Sequence, residues 1–535
     1  MPLRRLVQAA CLALFIILLW LTAMPAPAFL NVAAFAKLDP ALMLGAALAA
    51  GALMVIGLPV LLLLAATALF GRFFCSHVCP FGTTLDMAKP VAGSSRRRPP
   101  ESWRSGKYIF LTFLGLAALY GVNLTHLGTP VSLAVRLYAI VLRPAAKFLS
   151  GPLTPAIHEF SELVNLPVVY DAFSVVRYSG LWLIAPLLLG ILWSVRCASR
   201  FWCRYLCPSG AIFALAATRP LFRRRVSDDC NECGKCARSC PAAAIDPEDP
   251  KITNHSECLS CRTCASKCPE GAVTFNPSRE SLTRRSLAGP SRRSLFLAAA
   301  SGLLTAFVFK SGTRGARHAD ASRVMPDDLV RPPGAKPESD FLALCTRCSL
   351  CIKACPTNML QPGLFQAGPD GLFAPLAVSR VGPCEPLCNA CGQVCPTGAL
   401  RPLPVEVKPW AKMGTAVVYR RKCLAWEFDK ACLVCDEACP YDAVKLIQDA
   451  EHKVGVPVIE EMRCAGCGYC ENKCPVEGES AIRVTPMGAL RLDDGESYPA
   501  RASEAGLSIR RASEREPDQP AKEEFKGGLP PGFEN

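Results

Sequence analysis

The chain has 535 residues, of which 51% are hydrophobic, with a net charge of +14 and thirty cysteines. That length allows about three or four domains of ~100–200 residues, and a mean hydropathy of +0.24 is too high for an ordinary soluble protein. The basic excess stands beside apolar runs, as at Arg96–Arg98 and Arg223–Arg225, so it reads as a membrane topology signal and argues against a nucleic-acid face.

Four long apolar runs come first, at about 6–29, 41–70, 108–126 and 179–196. Each approaches or exceeds the roughly 20 residues a helix needs to cross a hydrocarbon core. Positive charge collects on MPLRR and on the connection 71–107, which holds Arg72, Lys89, Arg96, Arg97, Arg98, Arg104 and Lys107. The connection 30–40 has only Lys37. Positive loops stay in the cytoplasm, so the spans form two hairpins, with 127–178 outside and residue 197 onward inside. Within 127–178, VSLAVRLYAIVLRPAAKFL is amphipathic and either lies along the outer membrane interface or packs as an ordinary helix.

The second and fourth runs end in FFCSHVCPFG and FWCRYLCPSG, which share the pattern aromatic-aromatic-C-x3-C-P-x-G. The membrane part is therefore an internal repeat, a hairpin followed by C-x3-C-P, made twice. Two-fold related helices can bring Cys75, Cys79, Cys203 and Cys207 into one four-cysteine site. Such a site can hold a further cluster, a different metal or a redox-active thiol pair; packing at helix ends is the alternative. His77, inside CSHVC, is a candidate proton acceptor or a structural histidine. Cys11 and Cys197 fit no pattern and read as packing residues.

Two cysteine runs follow in 220–280. Cys230, Cys233, Cys236 and Cys240 form one; Cys258, Cys261, Cys264 and Cys268 form the other. Both read C-x2-C-x2-C-x3-C-P, the bacterial ferredoxin run that binds [4Fe–4S] clusters. Three thiolates close in sequence wrap one face of a cubane, and the fourth, carried past by proline, ligates the neighbouring cluster. The expected sets are therefore Cys230, Cys233, Cys236 with Cys268, and Cys258, Cys261, Cys264 with Cys240. Two tandem matches argue against zinc, whose sites usually pair two C-x2-C knuckles.

Next comes SRRSLFLAAASG, an arginine pair before a short apolar run at 295–309. It resembles a twin-arginine export signal, and it is equally an ordinary fifth span with positive flanks. Either reading carries everything after about 311 to the outside. Residues 311–338 lack apolar periodicity and read as a linker.

Four more cysteine groups follow. Cys345, Cys348, Cys351 and Cys355 match the run in full, as do Cys464, Cys467, Cys470 and Cys474. Cys384, Cys388, Cys391 and Cys395 have one extra residue in the first gap, and Cys423, Cys432, Cys435 and Cys439 have a longer insertion there. The groups can pair nested or sequentially. Repeated C-x3-C-P endings argue against a disulfide scaffold. Segments such as AAAIDP, GAVTFN, GALRPL, DAVKLI and SAIRVT after the Cys-Pro steps should form short strands or turns over the clusters. Ligand bonds should supply much of the stability of such thin cores. The tail, 491–535, is rich in charge, Pro and Gly and reads as disordered or partner-bound.

Some chemistry has no support. There is no C-x2-C-H for haem attachment, no histidine pair within the spans for b-haem, and no phosphate-cradling glycine loop after a strand. The expected cargo is electrons.

Residues 1–280 resemble the NapH-type membrane ferredoxins and the membrane halves of the NosR and CcoG types, most specifically at FWCRYLCPSG. Residues 291–490 resemble the exported NapG and MauM ferredoxins, most specifically at YRRKCLAWEFDKACLVCDEACP. Together they suggest a fusion of two proteins, with the internal export signal as its trace. The resemblance implies a quinol dehydrogenase component of an electron-transfer complex, with quinone as substrate, in the bacterial cytoplasmic membrane.

The expected fold class is thus membrane α-helical, with four spans plus a fifth signal or anchor span and ferredoxin-like α+β modules on both sides. Its domains are a helical domain at 1–210, a cytoplasmic two-cluster domain at 220–280, the signal or span at 291–310, a linker at 311–338, a periplasmic four-cluster domain at 339–490 and a tail at 491–535. Six [4Fe–4S] clusters are expected. The partners are the bilayer, quinol, a periplasmic redox enzyme or cytochrome and a cytoplasmic electron donor, with no nucleic acid. An alternative function is electron-donating maturation of a periplasmic metalloenzyme.

Overall fold

A computed structural model describes residues 2–22, 33–93, 99–150, 178–277, 291–317, 329–509 and 511. Arg96–Arg98, the middle of the expected linker (318–328) and the end of the tail (512–535) lie outside the described residues.

The apolar runs form helices, but not all as single rods. Helix α1 is Pro2–Leu21. The run 41–70 is broken into α2 (Pro40–Ala50) and α3 (Leu58–Phe70). Gly51 closes α2 in the left-handed region (φ 65°), and Pro59 restarts the chain in the first turn of α3. After α4 (Phe73–His77) and α5 (Pro80–Ala92) comes α6, Gly106–Leu119. Helix α7 (Pro130–Val135) runs on through a wide turn at Arg136–Leu142 into Arg143–Ser150. The second repeat supplies α8 (Leu181–Trp193), α9 (Phe201–Tyr205) and α10 (Pro208–Ala216).

Among the described residues, α1 and α11 (Arg292–Arg317) are long and apolar enough to cross a membrane, while α2, α3 and α8 are shorter apolar helices. Helix α11 lies along α6: a side chain at Gly302 would meet the Phe113 carbonyl at 2.6 Å, and Ala306 and Phe309 join Leu114, Ala117, Val122 and Leu124 in one apolar cluster. Small residues permit such close helix contact. Gly302 is level with Phe113, midway along α6, and the later Ala306 and Phe309 share a cluster that extends past the end of α6 to Val122 and Leu124, so α11 runs parallel to α6. The first half of the amphipathic stretch packs inside the protein, with Val131, Leu133, Val135, Arg136, Leu137 and Ile140 buried, while Leu142 and Phe148 in its second half are exposed.

Both cysteine-rich regions are small α+β units. In the first, antiparallel strands β1 (Phe222–Val226) and β2 (Val273–Pro277) close the cysteine loops between them. In the second, β3 (Leu360–Pro362) pairs with β4 (Pro375–Ala377), β5 (Thr415–Val418) with β8 (Ile482–Thr485), and β6 (Val444–Ile447) with β7 (Val456–Ile459), all antiparallel. The strands β2, β6 and β8 arise from GAVTFN, DAVKLI and SAIRVT, whereas AAAIDP and GALRPL supply only single bridges, at Ile245 and Leu400.

Two boundaries need correction. The expected linker is already domain from Leu329 onward: Leu329, Val330 and Arg331 are buried, and Ala335 bridges to Leu400. The expected tail folds back over 491–509, where Leu492, Tyr498, Ala502 and Ile509 are buried. Sparse apolar residues hid both segments, because each contributes anchors to a core built elsewhere.

The two ferredoxin units meet opposite ends of α6. Near its start, Arg104 donates to the Ala243 carbonyl and Lys107 pairs with Glu257. Just beyond its end, Asn123 Nδ2 donates to the Ala343 carbonyl at 3.1 Å. The intervening helix has 14 residues, a rise of about 21 Å.

Candidate iron–sulfur sites

The first ferredoxin unit contains two cavities lined by four cysteines each. One, of about 310 Å³, is lined by Cys230, Cys233, Cys236 and Cys268; the other, of about 340 Å³, by Cys258, Cys261, Cys264 and Cys240. The fourth cysteine of each run has crossed to the other cavity, as expected.

The second unit resolves the pairing left open by sequence. Cys423, Cys432, Cys435 and Cys474 line a cavity of about 400 Å³, and Cys464, Cys467, Cys470 and Cys439 line one of about 330 Å³. Burial, followed by the neighbours Cys348, Cys345 and Cys395, pushes the Cys351 thiol pKa up. Burial, then Cys384, Cys388 and Cys355, does the same for Cys391. Adjacent groups therefore exchange their fourth cysteines: first with second, third with fourth. The Cys384 N–H donates to the Cys467 carbonyl at 2.7 Å, so the two pairs also touch.

A shared backbone device shapes the regular loops. In all four, the residues flanking the second cysteine have positive φ: Glu232 and Gly234, Ser260 and Arg262, Arg347 and Ser349, Gly466 and Gly468. Two left-handed residues around one cysteine curl the loop so that its thiols face inward. Most of these residues are not glycine, and accept a conformation L-residues disfavour.

The donor set fits iron–sulfur clusters. Backbone N–H groups of Ala244, Leu400 and Ala443 point at Cys240, Cys395 and Cys439 sulfurs at 3.3, 3.4 and 3.3 Å. Such bonds favour thiolate and tune cluster potential. Among the described residues, no three His, Cys, Asp or Glu side chains converge tightly enough for a single metal ion. A cubane instead holds its four thiolates apart at its corners.

The two C-x3-C-P pairs also come together. Cys79, Cys203 and Cys207 are buried and Cys75 is half-buried. Burial, then Cys203 and Cys75, pushes both the Cys79 and the Cys207 thiols up. The repeat is longer than the sequence reading recognised, because each pair is preceded by arginine: RFFCSHVCPFG and RFWCRYLCPSG. Each arginine reaches the other repeat. Arg200 donates to the Cys75 carbonyl at 2.6 Å, and a Cβ at Gly210 would stand 3.1 Å from Arg72 Nη2. Comparing the two motifs three residues upstream of the first cysteine would have found them.

Both arginines are buried and paired: Arg72 with Glu257 at 2.8 Å, Arg200 with Asp86 at 2.7 Å. Burial alone would push the Glu257 carboxyl up, but Lys107 and Arg72 outweigh it and hold it at about 2. His77 Nδ1 lies 2.6 Å from Ser76 Oγ and 3.2 Å from the Phe73 carbonyl, a local structural arrangement. Cys197 is exposed, which overturns its reading as a packing residue; Cys11 is half-buried.

Clustered thiols, four to a cavity and with the fourth of each run exchanged between neighbours, define an iron–sulfur electron-transfer protein of the ferredoxin type. A family described as a 4Fe-4S binding domain matches residues 51–99 and again 179–227, and a 4Fe-4S dicluster domain matches 229–273. The chain is 39% identical over 165 residues to the methylamine utilization ferredoxin-type protein MauM of Methylophilus methylotrophus, covering 30% of this chain and 71% of the relative. MauM of Paracoccus denitrificans is 37% identical over 216 residues, 39% of this chain and 89% of the relative. The ferredoxin-type protein NapG of Escherichia coli K12 is 35% identical over 179 residues, 32% of this chain and 75% of the relative. No solved structure matches. The chain belongs to the MauM and NapG family of ferredoxin-type proteins.

Proposed function

We propose that this protein carries electrons across the bacterial cytoplasmic membrane, between the quinone pool and a periplasmic redox partner. In this reading it joins a NapH-type membrane ferredoxin to a NapG/MauM-type ferredoxin in one chain, with six [4Fe–4S] clusters. The observation that carries it is the attachment of the two ferredoxin units to opposite ends of α6, with α11 running alongside in the same direction. A bound cluster supplies one-electron storage and release. The chain supplies the cradles, their contacts and the exclusion of water around the sulfurs.

The order of cradles also supports a conduit. Cys240, Cys258 and Cys261 pack with Cys75 around Leu259, at the inner end of the helical domain. Cys345 packs with Phe341 and Leu344 against Ala50 and Val55, at the other end. The Cys384 and Cys464 sets touch, which leaves the Cys423 set farthest along.

In anaerobic membranes, quinol analogues should bleach cluster absorbance and quinone analogues restore it; no response to either overturns quinone as the donor. Protease added outside should cut within 318–328 and release the later domain; an untouched chain overturns the topology. The methylamine utilization named for the MauM relatives supports a second reading, electron donation to a maturing periplasmic metalloenzyme. A client that stays active after the protein is withdrawn favours maturation; one that stops at once favours respiration.

A further inference from the structure

Two lysines of the second unit are buried without a carboxylate to balance them. Lys408 is 5% exposed and Lys412 3%. Lys408 Nζ donates to the Glu385 carbonyl and Lys412 Nζ to the Glu461 carbonyl at 2.5 Å, and among the described residues neither forms an ion pair. A buried ammonium is costly unless an anion balances it. We propose that the anions are the clusters: Lys408 is the counter-ion of the cluster on Cys384, Cys388, Cys391 and Cys355, and Lys412 that of the cluster on Cys464, Cys467, Cys470 and Cys439. Each lysine raises the reduction potential of its own cluster, so that electrons are held where the two pairs meet.

Both cations come from one short segment, KPWAK, wedged at that junction. Lys408–Trp410 forms a single helical turn. The Lys412 N–H then donates to the Trp410 carbonyl at 2.9 Å, and the Met413 N–H to the Ala465 carbonyl at 3.0 Å. Ala465 follows Cys464, so the Lys412 side chain starts beside that set. Trp410 joins Cys384, Cys439 and Cys467 in one apolar cluster. Glu385, next to Cys384, accepts from Tyr469 Oη on its carboxylate at 2.6 Å and offers Lys408 only its carbonyl.

The electrostatics agree with this pairing. Burial works against the Lys408 ammonium, but Cys384, then Cys391 and Cys388, outweigh it and push its pKa up. Burial weakens the hold of Lys412 on its proton, and Cys464, ahead of Glu461, opposes that loss. Conversely, burial pushes the Cys388, Cys391 and Cys464 thiols up, and the lysine beside each acts the other way. The cations beside the Cys423 set are wetter. Arg380 reaches the Cys474 carbonyl at 2.9 Å but is half-buried, and Lys422 is exposed and paired with Glu479. Water and salt screen such charges.

A cubane held by four thiolates is an anion, and it becomes more negative when it accepts an electron. A fixed cation in a low-dielectric core therefore stabilises the reduced state more than the oxidised one, which raises the potential. One electron enters each cluster from a reductant; no bond or proton changes hands. The counter-ion role rests on the reading that the second unit holds four clusters, and does not depend on quinone as donor.

The test is an EPR-monitored titration with dithionite of full-length protein purified without oxygen. Lys408→Met and Lys412→Met each keep an apolar stem and remove one charge. Each should move one EPR species to lower potential, a different species in each variant, with the remaining species unmoved. Water entering a loosened site would favour the more negative state and move the potential the other way. A rise, or no shift, with iron retained therefore overturns the proposal. If a variant loses its iron, wild type decides. With the heavy nitrogen isotope placed only at lysine Nζ, two EPR species of the reduced protein should show a nitrogen hyperfine coupling, and its absence overturns the counter-ion role. Wild type without iron in the second unit overturns the four-cluster reading and the counter-ion role together, whereas iron present with unmoved potentials overturns the counter-ion role alone.

Discussion

The two ferredoxin units are joined to the helical domain by different chemistry. At the first, one carboxylate, Glu257, sits between Arg72 and Lys107 with all three side chains nearly excluded from solvent. At the second, guanidinium groups meet backbone carbonyls: Arg136 that of Arg347, and Arg347 that of Asn123, with Arg136 also held by the His126 carbonyl of its own domain. An apolar seam of Phe341, Leu344, Ala50 and Val55 runs beside them. The first joint adds a buried charge to a carbonyl contact (Arg104 with Ala243) and apolar packing (Phe70 on Phe222), whereas the second rests on dipoles and apolar area. Loss of a single atom's charge should therefore matter far more at the first.

The sharpest way to break this contrast is Glu257→Gln. It leaves Arg72 and Lys107 buried without their counter-charge, a change that typically costs ~3–5 kcal/mol. The first unit should undock and lose iron, while EPR signals of the second unit stay intact. Equal loss from both units would show that the joints are not independent.

A second substitution separates joint strength from domain strength. In the second unit Glu338 is buried between Arg331 and Arg491. Burial would push its carboxyl up, but the two arginines hold it below the usual glutamate range. A depressed carboxylate contributes stability that is fully present above the unfolded pKa and is lost as pH falls through the folded one. Glu338→Gln should therefore lower resistance to denaturant by ~3–5 kcal/mol at neutral pH. The gap to wild type should narrow on acidification below the ordinary glutamate pKa. A gap that stays constant with pH would assign the loss to packing, not charge.

The cysteine spacing made the cradles legible, because a ligand set is local in sequence and its cross-ligation follows from the proline step. The pairing of the last four groups was not, since spacing leaves nested and sequential exchange equally open and only the fold brings Cys474 to the Cys423 set and Cys439 to the Cys464 set. The break in 41–70 was visible in Gly51, Gly57 and Pro59, but the strong hydropathy of the run outweighed it. The arginines of the C-x3-C-P repeat were present in sequence, yet their role depends on each crossing to the other repeat. Leu329–Arg331 and 491–509 were hidden because their few apolar residues complete a core formed by distant segments.

The smallest expected effect, at the second joint, is also the most informative about how that joint works. Arg136 is buried, lies over the Phe373 ring at 4.8 Å, and donates to the His126 carbonyl at 3.2 Å and the Arg347 carbonyl at 2.7 Å. Arg136→Met keeps an apolar stem over the ring and removes both donors. Hydrogen bonds to charged groups contribute ~1.5–3 kcal/mol each, but removing the guanidinium also relieves its desolvation cost. The net loss should thus be about 1.5–3 kcal/mol, within the range of a single such bond. Amide hydrogen exchange should quicken at 122–126 and 343–347 with iron content unchanged. If those amides stay as protected as in wild type, the apolar seam alone holds the second unit, and the contrast between charged and distributed joints becomes one between charge and hydrophobic contact.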